Sequence, residues 1–193
     1  MTWIKVAVFS TLCCAAASAG PITFTVTLAN ASGSLDGTSF SGQTVTLVLK
    51  SDTSTINNLG GGFYQDPGTA TVNVSGLGTD TFTDSMAADV NQAGEYAGIT
   101  DKTAFFDVLD VGNVAFASYS LSTSIGPLSG GTSGNSGTAF NTTGGTFEIT
   151  SPLNVDHPAT FTASTPEPGT LGLIGAGIGL LLIGRRRGVA LGR

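Results

Sequence analysis

The chain predicts an all-β fold, an antiparallel β-sandwich or jelly-roll-like domain, with an N-terminal signal helix before it and a C-terminal transmembrane helix after it. Three observations predict this. Short runs alternate apolar residues with β-branched polar ones, turn residues separate the runs at close intervals, and an apolar segment stands near each end of the 193 residues. A period of two places alternate side chains on opposite faces of a strand, so such runs describe half-buried sheets.

Ile22-Thr23-Phe24-Thr25-Val26-Thr27-Leu28 alternates without a break and puts Ile22, Phe24, Val26 and Leu28 on one face. Similar runs occupy residues 44–49, 69–74, 79–83, 104–109, 114–120, 146–150 and 159–163, with a further candidate at 96–100, which makes eight or nine strands. Between them lie Asp36-Gly37, Gly60-Gly61-Gly62, Asp66-Pro67-Gly68 and Gly112-Asn113, all turn chemistry. Residues 85–94 read as the one candidate amphipathic helix, and 129–137 as a Gly/Ser loop. No fixed-period repeat is present, which argues against a solenoid or propeller.

The two ends read as addresses. Lys5, an apolar stretch over residues 6–17 and the small-x-small sequence Ala17-Ser18-Ala19 form a signal peptide, residues 1–19, cut before Gly20. The export translocon and signal peptidase are the partners this implies. Cys13 and Cys14 are preceded by Leu12 and Cys13 rather than by the small residue a lipid-attachment site carries, so both leave with the leader. The mature chain then has neither thiol nor disulfide. A β-domain over 20–161 is followed by a linker at 162–168, an uncharged apolar stretch at 169–184 and a basic tail at 185–193. As a helix, the 16 residues of that stretch span about 24 Å at ~1.5 Å per residue, a marginal crossing of a hydrocarbon core of roughly 30 Å. Arg185, Arg186 and Arg187 are expensive to carry across a bilayer, so they act as a membrane stop and leave the β-domain on the far side. Pro166 and Pro168 disfavour helix before them, which makes Pro166-Glu167-Pro168 an extended strip at the membrane surface.

Pro-Glu-Pro, then a short apolar span, then an arginine cluster, all in the last 28 residues: this tail resembles that of the bacterial PEP-CTERM class. The resemblance implies that an exosortase-like membrane protease recognises Pro166, Glu167 and Pro168 and cuts there. It further implies a transient or permanent membrane anchor before delivery to the cell surface or extracellular matrix. By analogy with the class, exopolysaccharide is a candidate partner.

Removing both ends leaves Lys50 and Lys102 against twelve acids, a strongly acidic domain. Nucleic-acid binding is excluded, because phosphate neutralisation needs clustered Lys and Arg. Candidates for chemistry are few. His157, the single histidine, reads as a surface turn residue, and a histidine-based metal centre cannot be built. Gly134-Asn135-Ser136-Gly137 fails the Gly-x-Ser-x-Gly nucleophile pattern. Seven acids crowd residues 80–110, with Asp101, Asp107 and Asp110 the candidate calcium ligands and no other cofactor expected. Asp107 and Asp110 are three apart and would face opposite sides of a strand unless a bulge intervenes. Phe63, Tyr64, Tyr96 and Tyr119 are candidate sugar platforms, whereas most of the phenylalanines in strand patterns, Phe105 and Phe106 among them, read as core. The resulting expectation is a non-enzymatic surface protein, structural or adhesive, with a carbohydrate- or calcium-binding β-domain as the alternative and a carboxylate-based glycoside hydrolase behind it.

Overall fold

The structure, a computed structural model, describes residues 19–151, 153–154 and 156–166. Ala17, Glu167, Pro168, Arg185, Arg186, Arg187 and both predicted terminal helices lie outside the described residues. Among those described, no helix is long and apolar enough to cross a membrane.

In chain order the strands are β1 (Pro21–Leu35), β2 (Thr38–Asp52), β3 (Asn57–Gly60), β4 (Phe63–Pro67), β5 (Thr69–Val74), β6 (Gly78–Thr81) and β7 (Met86–Asn91). They continue as β8 (Tyr96–Asp101), β9 (Phe106–Gly112), β10 (Ile125–Gly130), β11 (Thr132–Ser133), β12 (Phe140–Asn141), β13 (Thr146–Ile149) and β14 (Ala159–Ser164). One antiparallel sheet runs β10-β14-β1-β2-β5-β6, with the β12–β13 pair joined to the far end of β1; the other runs β11-β9-β8-β7-β4-β3. Sequential strands form hairpins inside one sheet (β1–β2, β3–β4, β5–β6 and β7–β8–β9), and the chain switches sheets between hairpins. Two antiparallel sheets around one buried cluster give the all-β class that the alternation predicts.

The alternation that predicts β1 is what closes the core. Ile22, Phe24, Val26 and Leu28 of β1 stand beside Val45, Leu47 and Leu49 of β2, and these beside Val72 and Val74 of β5, on one face of the first sheet in a single buried cluster. The second sheet adds Met86, Ala88, Val90, Ile99, Leu109 and Val111. Phe161 of β14 stands edge-on to Phe116 at 5.2 Å and tilted to Phe24 at 6.2 Å, so aromatic packing fills one end of the core. The opposite face of the first sheet is a plane of hydroxyls: Thr160, Thr27, Thr46, Asn73 and Thr79 stand in one cross-strand row, and Thr162, Thr25, Val48, Thr71 and Thr81 in the next. β-branched threonine satisfies both strand geometry and contact with water.

Several expectations are corrected. Residues 85–94 hold β7, not a helix: Met86, Ala88 and Val90 point into the core with period two, a pattern hidden by the helix-favouring alanines. Residues 114–120 are not a strand, because Asn113 caps a 3-10 helix over Val114–Ser118 by accepting from the Ala115 N–H at 3.0 Å. Its period of about three lets Phe116 and Tyr119 both reach the core while Val114 is 74% exposed. The strand placed at 104–109 begins at Phe106, since Asp101–Phe105 is the β8–β9 turn. The segment 129–137 contains the end of β10 and all of β11. Strands β3 and β4 bracket the glycine turn at 60–62, where the alternation predicts none. Thr162, Ala163 and Ser164 belong to β14, so the stretch read as linker starts inside the sheet.

Candidate functional site

The functional side chains gather on the outward face of the second sheet. Register places Gln65 (β4) opposite Asp89 (β7), Asp89 opposite Gly98 (β8), Gly98 opposite Asp110 (β9) and Asp110 opposite Ser133 (β11) in one row. Gly98 carries no side chain, and that opens the middle of the row. A Cβ there would stand 2.0 Å from the Asp110 Oδ1, so the carboxylate of Asp110 occupies the space above the glycine, facing Asp89.

Asp107 joins them through a bulge. Ile99 pairs with Leu109 but Thr100 pairs with Asp107, so Val108 is an extra residue in β9. The insertion shifts the pleat by one, and Asp107 and Asp110 then share a face. The segment 134–135 holds this bulge from outside. The Asn135 Oδ1 accepts from the Asp107 N–H at 2.9 Å, and the Asn135 N–H donates to the Asp107 carbonyl at 2.8 Å. Gly134, at φ 151°, passes so close that a Cβ would meet the Val108 carbonyl oxygen at 2.9 Å. Residues that fail as a catalytic-serine motif thus clamp the acidic strand. Ser136 donates instead to the carbonyls of Ile149 and Ser151.

The result is a compact acidic floor. Carboxylate oxygens of Asp89, Asp107 and Asp110 lie within 4.8 Å of one another. Asp89, Asp110 and Gln65 are 3, 5 and 5% exposed, and Asp89 Oδ1, Asp110 Oδ1 and Gln65 Nε2 have no hydrogen-bond partner among the described residues. Burial, then the Asp107 charge, pushes Asp89 up to about 8. Burial, then the charges of Asp89 and Asp107, holds Asp110 well above the ordinary carboxylate range. Burial also raises Asp107, against a hydrogen bond from Thr100. Three carboxylates this close cannot all ionise without a compensating charge, and among the described residues no Lys, Arg or His lines the cleft above them.

That cleft has a volume of about 330 Å³, and Phe63, Tyr96 and Phe105 stand around its acidic floor. The Tyr96 ring lies over Gly112, where a Cβ would approach it to 2.9 Å, and beyond the ring a second hollow of about 230 Å³ is lined by Glu95, Asn113 and Val114. Tyr96 therefore lines both hollows.

Of the predicted calcium ligands, Asp107 and Asp110 are brought together and Asp101 is not. Its Oδ1 accepts from the Thr103 and Ala104 N–H groups at 2.8 and 3.2 Å, which builds the turn at the end of β8. Asp89 is one of the seven crowded acids but not among the three singled out as ligands, although an acid inside the otherwise apolar Ala87-Ala88-Asp89-Val90 is a signal in its own right. Tyr96 is in the cleft as a sugar platform requires, whereas Tyr64 packs against the core and Tyr119 lies within it, donating to the Thr123 carbonyl at 2.9 Å. Phe105 and Phe106 are 67 and 45% exposed rather than core. His157 sits in a turn beside Asn154.

At the predicted processing points, Gly20 exchanges hydrogen bonds with Thr53, its N–H donating to the Thr53 Oγ1 at 3.0 Å. Ala19 immediately precedes it. At the other end the Thr165 N–H donates to the Ser124 Oγ at 3.0 Å, one residue before Pro166. A family model described as the PEP-CTERM protein-sorting motif matches residues 164–187. The chain therefore carries a sorting signal of exported proteins that pass through a membrane-anchored intermediate and are handled by exosortase. No curated protein and no solved structure matches the chain.

Proposed function

We propose that this is an exosortase-processed protein of the cell surface or extracellular matrix, non-enzymatic and adhesive, whose sandwich binds glycan in the cleft on its second sheet. The observation that carries this reading is the pairing of buried hydrogen-bonding atoms without partners on the cleft floor with Phe63, Tyr96 and Phe105 around it. Sugars present hydroxyls and an apolar C–H face to their receptors, and such a cleft complements both. Export to a matrix supplies the ligand class, and the net negative charge favours neutral over anionic polymers.

The test is binding of the purified protein to a glycan array and to neutral exopolysaccharide. Tyr96→Ala and Phe105→Ala are expected to weaken binding by roughly threefold to tenfold each. Retention of no glycan, or equal binding by both variants and the wild type, would overturn the reading. A second reading, carboxylate-based hydrolysis, is favoured by the raised Asp89 and Asp110, one of which would serve as a proton donor. Release of reducing ends that is lost in Asp89→Asn would select it.

A further inference from the structure

We propose that Asp89, Asp107 and Asp110 ligate a divalent cation of the calcium class, with the Gln65 amide as a further partner and the open side of the cleft left to water or a ligand hydroxyl. This stands independently of the glycan reading, since a cation could serve the fold alone.

Size and donor type both fit. Calcium binds oxygen at about 2.3–2.6 Å, so oxygens on opposite sides of one ion are about 5 Å apart. Carboxylate oxygens that all lie within 4.8 Å of one another can share such a sphere. The donors are carboxylate and amide, with no imidazole or thiolate among the described residues that line the cleft, which selects a hard cation over zinc or copper.

Gln65 supplies an observation independent of the acids. Its side chain is 5% exposed, lines the same cleft, stands opposite Asp89 and leaves Nε2 without a partner. Buried polar atoms in native proteins are nearly always satisfied, so an orphaned amide nitrogen on the same cleft floor, beside Asp89, points to something bound there. The nitrogen can donate to a cation-bound water, or the amide can turn to present its oxygen to the ion.

A second acidic group on the same molecule shows what a self-sufficient cluster looks like. Asp80 accepts from the Thr143 hydroxyl, from the Gly144 N–H at 2.7 Å and from the Thr81 N–H at 2.9 Å, while Asp36 accepts from the Thr142 hydroxyl at 3.0 Å. Those carboxylates are supplied by donors of the chain. The Oδ1 atoms of Asp89 and Asp110 are left without one, although the bulge at Val108, the bare Gly98 and the Asn135 clamp all serve to bring the two residues together.

The experiment follows thermal unfolding of the full chain in detergent after chelation, with calcium chloride, magnesium chloride or sodium chloride of matched ionic strength added back. Calcium is expected to raise the midpoint by several degrees, saturating near ~10⁻⁴–10⁻³ M as in extracellular modules. Asp89→Asn and Asp110→Asn should erase the shift without lowering the midpoint of the chelated protein, because each replaces a carboxyl that the crowded, buried floor does not need in its ionised form. Asp101→Asn, in the turn, should keep it. A shift matched by sodium chloride, or one that survives intact in Asp89→Asn, would overturn the proposal. Should the variants not fold, terbium luminescence of the wild-type protein decides: emission sensitised through Tyr96 and displaced by calcium supports the site, and emission that calcium does not displace sinks it.

Discussion

Asp80 and Asp110 show how one residue type acquires opposite properties thirty positions apart. Hydrogen bonds, above all from the Thr143 hydroxyl, hold the Asp80 carboxyl far below its ordinary value of 3.8, whereas burial and like charge hold Asp110 far above it. Gly144 makes the first arrangement possible, since a Cβ there would stand 2.7 Å from the Asp80 Oδ2 and 2.4 Å from the Asp36 Oδ2. Asp80 therefore prefers its ionised form when folded. Its contribution is present above the unfolded value of 3.8 and is lost as pH falls below that toward the depressed folded value. Asp80→Asn is expected to lower the melting midpoint by a few degrees at pH 7, with the gap to wild type closing near pH ~2. Melting curves of both proteins across that range check it, and a gap that stays constant with pH would show that the charge is not what matters.

The strands with strict alternation were legible in the sequence: residues 69–74 are β5 as predicted, and Ile22 to Leu28 supplies one wall of the core. Such runs declare themselves because a one-residue slip would bury every threonine. β7 was not legible, because alanine carries little strand preference and Asp89, on the outward face, breaks the apolar run; the 3-10 helix was not, because Val-Ala-Phe-Ala-Ser carries no helix-capping signal of its own and depends on Asn113 before it. Two of the three carboxylates of the acidic site were legible in Asp107 and Asp110, together with the condition that a bulge must intervene. The bulge itself depends on residues that are distant in sequence, which no local pattern reveals. Asn135→Ala tests that dependence. Losing the bond to the Asp107 N–H should cost about 1 kcal/mol and leave the fold intact, while the calcium-induced rise in melting midpoint shrinks because Asp107 is no longer held toward Asp110. Melting with and without calcium measures both effects, and a full calcium response in a destabilised variant would separate the clamp from the site.

At the scale of the whole molecule, the two processing points emerge side by side. β1 and β14 are antiparallel neighbours with Thr23 opposite Ser164, so Gly20 and Pro166 leave the sandwich at the same end. Before processing, a chain with a membrane-embedded tail would hold that end against the bilayer, with the hydroxyl plane of one sheet and the acidic groove of the other both facing sideways. The spacing is tight. β14 ends at Ser164, Thr165 is tied to Ser124, and the sorting motif follows at once. Proteases act on extended chain that can enter a cleft, and a motif that begins two residues after the last strand leaves little chain between the fold and the cut. Release of the last bond at Thr165 is therefore expected to limit tail removal. Inserting six Gly/Ser residues between Thr165 and Pro166 adds up to about 20 Å of reach and should speed the appearance of the tail-free species, with Ser124→Ala acting in the same direction but less. Pulse-chase labelling with intact mass spectrometry of envelope and medium follows the product, with Glu167→Ala as the blocked control. An unchanged rate in the insertion variant would mean that the motif is reached without any yielding of the domain, and that recognition of the tail rather than access to it sets the pace.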